Sequence, residues 1–160
     1  MSTNYARRFV RAHKEPPGVP FVALDVGERR IGVAVSDPSE TLALPHCVIE
    51  RTNVRVDVAR IATIAAEYPN AELVVGYPLT LAGERGPAAQ KMDAFLAHLR
   101  RGFAGAIHLC DERMTTAMAT RSLIAADVSR KRRKAVIDQV AAANILETFL
   151  MKQRREKSAP

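Results

Sequence analysis

Three acidic residues stand where a folded chain does not ordinarily leave a carboxylate. Asp25 lies near the end of the apolar run Phe21 to Val26, and Glu112 follows the run that ends at Cys110, directly after Asp111. Asp138 opens a helical stripe that continues through Ala141, Ala142, Ile145 and Phe149. An isolated ionised carboxylate in apolar surroundings is too costly to persist, so each acid must be solvated, hydrogen-bonded or bound to a cation. Gathered acids also repel one another and hold their protons more tightly unless a positive charge enters among them. A hard, oxygen-seeking ion such as Mg²⁺ or Mn²⁺ answers that need. Two such ions about 3.5 to 4 Å apart activate water and stabilise a leaving oxygen in attack on a phosphodiester.

Singly, each acid has an ordinary explanation: Asp25 as a turn cap, Glu112 paired with Arg113, Asp138 as a cap for the last helix. Three separate segments bringing acids to one sheet edge by accident is the harder reading.

The elements that must position them follow from the hydrophobic pattern. Phe21 to Val26 and Ile31 to Val35 read as two strands around a short turn containing Gly27, and Leu42 to Ile49 as a third, with Pro45 marking an edge. From Asn53 the period changes: Val54, Val58, Ile61, Ala62, Ala65 and Tyr68 follow helical spacing up to Pro69, with Asn53 as cap. Ala71 to Gly76 is a buried strand, Pro87 to Leu99 a second helix closed by Gly102, and Ala104 to Cys110 a fifth strand. Thr115 and Thr116 cap a third helix to about Ala126, and a final helix runs from about Ala135 to Lys152. This order predicts an α/β fold: a mixed five-stranded sheet, antiparallel meander plus parallel strands, flanked by helices. Ligands bind such sheets at the carboxyl ends of the parallel strands, where Asp25, Gly76 and Asp111-Glu112 fall.

The 160 residues, 48% of them hydrophobic, suffice for one domain, expected over residues 20–152 between a basic N-terminal arm, 1–19, and a polar basic tail, 153–160. Lys and Arg outnumber Asp and Glu by 24 to 17, which favours a polyanionic partner such as nucleic acid. Arg130, Lys131, Arg132, Arg133 and Lys134 are consecutive cations, read as a loop over the cleft, and Arg29, Arg30 and Arg113 stand beside the acids to hold phosphate. Aromatic residues, at 5%, offer no base-stacking platform. The two cysteines, Cys47 and Cys110, read as buried thiols of a cytoplasmic protein, and no apolar run reaches the roughly 18 residues that span a membrane.

Four motifs carry a resemblance to a known family. They are Asp25-Val-Gly-Glu-Arg-Arg-Ile-Gly-Val-Ala34, Val74-Val-Gly-Tyr-Pro-Leu79 with Gly83, Asp111-Glu-Arg-Met-Thr-Thr116, and Ile137-Asp-Gln-Val-Ala-Ala-Ala-Asn-Ile-Leu146. In this order and spacing they resemble the YqgF or RuvX proteins of the ribonuclease H-like superfamily. The resemblance implies a ribonuclease H-like sheet and a metal-dependent nuclease whose acids map to Asp25, Glu112 and Asp138, with Glu112 preferred to Asp111. It implies processing of the 5′ end of the small-subunit ribosomal RNA precursor. Alternatives are resolution of Holliday junctions, for which a homodimer is expected, and a non-catalytic RNA-binding assembly factor.

Overall fold

The computed structural model describes residues 18–113 and 130–160. Strands β1 (Phe21–Val26), β2 (Arg30–Ser36) and β3 (Ala43–Glu50) form the antiparallel meander. Helix α1 (Val54–Ala66) leads to β4 (Glu72–Tyr77), and α2 (Pro87–Gly102) leads to β5 (Ile107–Asp111). Strand β4 runs parallel to β1, and β5 parallel to β4, which makes one sheet in the order β3-β2-β1-β4-β5. This is the mixed five-stranded arrangement expected from the sequence, with β1 in the centre.

Alternation along the strands divides the core in two. On one face Val22, Leu24, Ile31, Val33, Leu73 and Val75 pack against α1 and α2 through Val58, Ile61, Phe95, Leu96 and Leu99. On the other, Phe21, Ala23, Ala34, Val74 and Cys110 meet helix α3 (Arg130–Ser158) through Ala142, Ala143, Ile145, Leu146 and Leu150. Asp25 continues the alternation of Phe21 and Ala23, so it belongs to the α3 face.

Local signals behave as their chemistry dictates. Asn53 caps α1, its side chain accepting from the Val56 N–H at 3.0 Å, and Pro87 occupies the first turn of α2. Asp37 closes the β2–β3 turn by accepting the N–H groups of Thr41 and Leu42, both at 2.7 Å. Pro45 lies on the edge strand β3, where a lost ladder donor costs least. The bulge in this sheet falls on β3: Val33 pairs with Cys47 and Ala34 with Pro45, which leaves His46 as the extra residue.

Two expectations need correction. The basic run Arg130 to Lys134 is not a loop: it is the start of α3, whose 29 residues continue through Ser158 instead of ending at Lys152. No proline or glycine interrupts residues 130–158, and Arg and Lys are good helix formers, so a run of charge does not end the helix. Arg155 and Lys157 in the last turn suit the negative end of the helix dipole, and Lys157 reaches Glu40 at 3.1 Å. The helix expected between Thr115 and Ala126 lies outside the described residues.

Candidate functional site

The site is built by an exchange of side chains for space. Asp25 is paired in register with Gly32 on β2, and the register of Leu24 with Val75 brings Gly76 of β4 alongside on the other flank. A Cβ at Gly32 would fall 1.8 Å from the backbone oxygen of Asp138, so β2 has no room for a side chain where α3 crosses it. The glycine thus serves close approach of helix to strand, one of two roles a strand glycine can have; the bulge is elsewhere. A Cβ at Gly76 would stand 2.7 Å from Glu112 Oε2 and 2.6 Å from Ile145 Cδ1. Two absent side chains therefore admit the helix and the glutamate to the central strand's aspartate.

The Asp25 and Glu112 carboxyls stand close enough that a proton held by one is felt by the other. Burial pushes Asp25 up to about 6, with the charge of Asp138 adding to it and the bond from Glu112 working against it. Burial likewise pushes Glu112 up to about 7, followed by the charge of Asp25, its hydrogen bond to Asp25 and the charge of Asp111. Both carboxyls therefore hold protons more tightly than ordinary surface acids.

Asp138 sits two turns into α3, too far from Arg130 to be a cap, and Arg30 at the start of β2 brings Nε to 2.9 Å from its Oδ2. That contact is an ion pair held by charge rather than an aligned hydrogen bond. Asp111 turns away from the acids to Arg113, accepting its side chain at 2.7 Å through Nε and its backbone N–H at 3.1 Å. These bonds outweigh a small desolvation and hold Asp111 below the usual carboxylate range. The strand end therefore presents Glu112 inward and Asp111 outward.

The three acids share one neighbourhood, but among the described residues no three His, Cys, Asp or Glu side chains form a ready set of metal ligands. Burial and mutual repulsion hold protons on Asp25 and Glu112, and Asp138 is drawn to Arg30. The donor chemistry nonetheless fits a hard divalent cation, whose charge would replace both the proton and the guanidinium.

Other expected residues are distributed around this centre. Arg29 is exposed on the β1–β2 turn, and Arg113 lies against the β4–α2 loop, where Gly83 at φ 81° would bring a Cβ within 3.1 Å of its Nη1. Arg132 is exposed on the first turn of α3, where Arg130, Lys131, Arg133 and Lys134 share its helical backbone.

Sequence reasoning missed the bracket behind the turn. Asp57, fully buried near the start of α1, accepts from Arg51 Nε and the Thr52 N–H, both at 3.1 Å. Arg51 also donates through Nη1 to Gly27 O at 2.7 Å and through its backbone N–H to Arg29 O at 2.9 Å, while its guanidinium covers the Phe95 ring. The available signal was an aspartate among the apolar positions of α1, overlooked because first-turn acids are usually solvent-facing dipole partners. Tyr77, at the end of β4, likewise donates to Asp93 at 2.9 Å, and Asp93 pairs with Arg85 of the intervening loop.

The chain has relatives among known proteins. The chain is 44% identical over 130 residues to a Moorella thermoacetica protein named "Putative pre-16S rRNA nuclease", an alignment covering 81% of this chain and 93% of that one. A protein of the same name from Thermoanaerobacter pseudethanolicus is 43% identical over 137 residues, covering 85% and 99%. Among solved structures, T. thermophilus RuvC in complex with a Holliday junction substrate aligns with 85% of this chain and 96% of its own at 13% identity and a TM-score of 0.49. The family model described as "RuvX: Holliday junction resolvase" matches residues 20–152, and the chain belongs to that family.

Proposed function

We propose that this protein is a divalent-metal-dependent endonuclease that acts on structured RNA, in cytoplasmic maturation of the 5′ end of the small-subunit ribosomal RNA precursor. One observation carries the reading: Asp25, Glu112 and Asp138, from two strand ends and a helix, are crowded together where Gly32 and Gly76 remove the side chains that would separate them. Burying three acids together destabilises the fold, and a phosphodiester-cleaving centre gives that arrangement a use. The names of the relatives from Moorella and Thermoanaerobacter favour RNA as substrate.

Asp25, Glu112 and Asp138 would hold the metal, a pair of Mg²⁺ or Mn²⁺ ions, which when bound supplies an activated water and charge stabilisation at the phosphate. The chain's own part is to release the protons held by Asp25 and Glu112, to keep α3 pressed onto β2, and to hold the substrate backbone. Arg29, Arg30, Arg113 and the cations from Arg130 to Lys134 are the groups assigned to phosphate contact.

A second reading, resolution of branched DNA by a homodimer, is favoured by the description of the family model. Purified protein offered a precursor-rRNA fragment and a four-way DNA junction, each with Mn²⁺ or with EDTA, decides between them. Metal-dependent cleavage of the RNA supports the first reading, and of the junction alone the second. Cleavage that persists in EDTA, or in Asp25→Asn, contradicts the three-acid mechanism.

A further inference from the structure

Among the Arg–Asp pairs of the described residues, Arg51–Asp57, Arg113–Asp111 and Arg30–Asp138 differ in how tightly each arginine is committed. Arg51 has Asp57, the Gly27 carbonyl and the face of Phe95 as partners, and the Asp57 side chain is 1% exposed. Arg113 is clasped to Asp111 through both side-chain and backbone nitrogens. Arg30 differs: its partner is one of the three gathered acids, and the two side chains are 25% and 24% exposed.

The backbone under Arg30 is fixed while its side chain is not so confined. Gly27 N–H donates to Arg30 O at 2.9 Å, and Arg51 holds the turn through Gly27 O and Arg29 O. Beyond the turn, Gly32 lies beneath Asp138, so the origin of Arg30 and that of its partner are held by the same contact of strand with helix. What can change is the direction of one long side chain.

We propose that Arg30 is the resident counter-ion of Asp138, displaced from that carboxylate when a divalent cation enters the acid centre and thereby made available to a phosphate of the substrate. This rests on the metal-dependent reading above and adds an order to it: metal first, then full engagement of nucleic acid. The physical basis is competition. A guanidinium and a metal ion cannot both neutralise the same buried oxygen, and their mutual repulsion at a few ångströms opposes metal entry. Once the carboxylate is bound to metal, the released guanidinium has an anion of matching geometry in the phosphate.

The effect of Arg30 on the metal has an unusual sign. Removing a charged neighbour of a site ordinarily weakens ligand binding, whereas here loss of Arg30 strengthens binding of the metal alone. Calorimetric titration of Mn²⁺ into the metal-free full-length protein is expected to show Arg30→Gln binding about tenfold more tightly than wild type, with Arg30→Lys close to wild type because the charge remains. Binding of an RNA hairpin, followed by anisotropy, is expected to suffer from Arg30→Gln more with Ca²⁺ present than in EDTA, since only the metal-loaded wild type has Arg30 to offer. In the wild-type protein, independently of any variant's folding, the Arg30 Nε–H resonance is expected to move with the midpoint of a Mg²⁺ titration.

Unchanged or weaker Mn²⁺ binding by a folded Arg30→Gln, or an Arg30 resonance indifferent to Mg²⁺, overturns the proposal. If wild type binds Mn²⁺ and Asp25→Asn does not, that failure belongs to Arg30 alone. If neither wild type nor Arg30→Gln binds Mn²⁺, the metal-dependent reading falls and takes this proposal with it.

Discussion

The two faces of the sheet are built on opposite rules. The face under α1 and α2 is filled with Val22, Leu24, Ile31, Val33, Leu73 and Val75, large side chains that hold two helices at full distance. The face under α3 keeps Phe21 and Val74 against Ile145, Leu146 and Leu150, but around Asp25 it carries Ala23, Ala34, Gly32 and Gly76, opposed by Ala141, Ala142 and Ala143 of the helix. Large residues maximise apolar burial, about 0.8 kcal/mol for each methylene removed from water. Small ones forgo part of that gain and bring backbone to backbone. Here the closer face is the one that holds the acids, so the molecule takes stability from one side of β1 and spends it on chemistry at the other.

That contrast breaks most sharply at Gly32. Gly32→Ala puts a Cβ into the Asp138 carbonyl, so α3 must lift or tilt and carry Asp138 with it. Cleavage is expected to fall about 100-fold or more, the usual penalty for misplacing a reacting group by about an ångström, alongside a loss of roughly 1 to 3 kcal/mol of stability from overpacking. Leu24→Ala, one residue from Asp25 but on the other face, is expected to do the reverse. It leaves a cavity and costs roughly 2 to 5 kcal/mol in denaturant unfolding, while the rate per folded molecule stays within about threefold. Equal damage to activity from both substitutions would erase the division between the faces.

Asp57→Ala tests whether the large-residue face also steadies the site from behind. It strands Arg51 and frees the β1–β2 turn, with an expected cost of about 3 kcal/mol, since removing one member of a buried pair leaves the other uncompensated. Cleavage is expected to weaken chiefly through poorer substrate binding. An Asp57→Asn variant, which can still accept from the Thr52 N–H, should recover part of both losses.

The smallest effect is a pH dependence confined to the acid face. Asp25 and Glu112 hold their protons more tightly folded than unfolded, so their contribution to stability is complete below about 4 and is lost as pH rises through about 6 and 7. Melting temperature of the metal-free protein should therefore decline over that interval, and Asp25→Asn should flatten the decline. Asp37 and Asp111, held low, act only in stronger acid and add no slope there. A wild-type profile that rises with pH as steeply as it was expected to fall would reverse the assignment.

Much of this organisation was legible in the chain because period and position speak for themselves. Strand alternation around Asp25 and the 3.6 spacing of Asp138 with Ala141, Ala142 and Ile145 both state which face a side chain occupies. The extent of α3 was not legible. Five consecutive cations obey no amphipathic period, so pattern alone does not carry the helix back to Arg130; what allows it is a run of good helix formers with no breaker. The reason for Gly32 was equally hidden, because a glycine in a strand signals either a bulge or a close approach, and the helix that approaches is more than 100 residues away in sequence. Arg51 and Asp57 escaped because each looks like an ordinary surface charge until the turn and Phe95 are placed beside them.

The proposed metal centre puts divalent ions among Asp25, Glu112 and Asp138, beneath α3. Crystals grown with Mn²⁺ and measured for anomalous scattering test it most directly. The expected map has its strongest peaks bounded by those three carboxylates, with Arg30 turned away from Asp138. A map with no peak there, in a protein that cleaves its substrate in the same Mn²⁺ concentration, would contradict it.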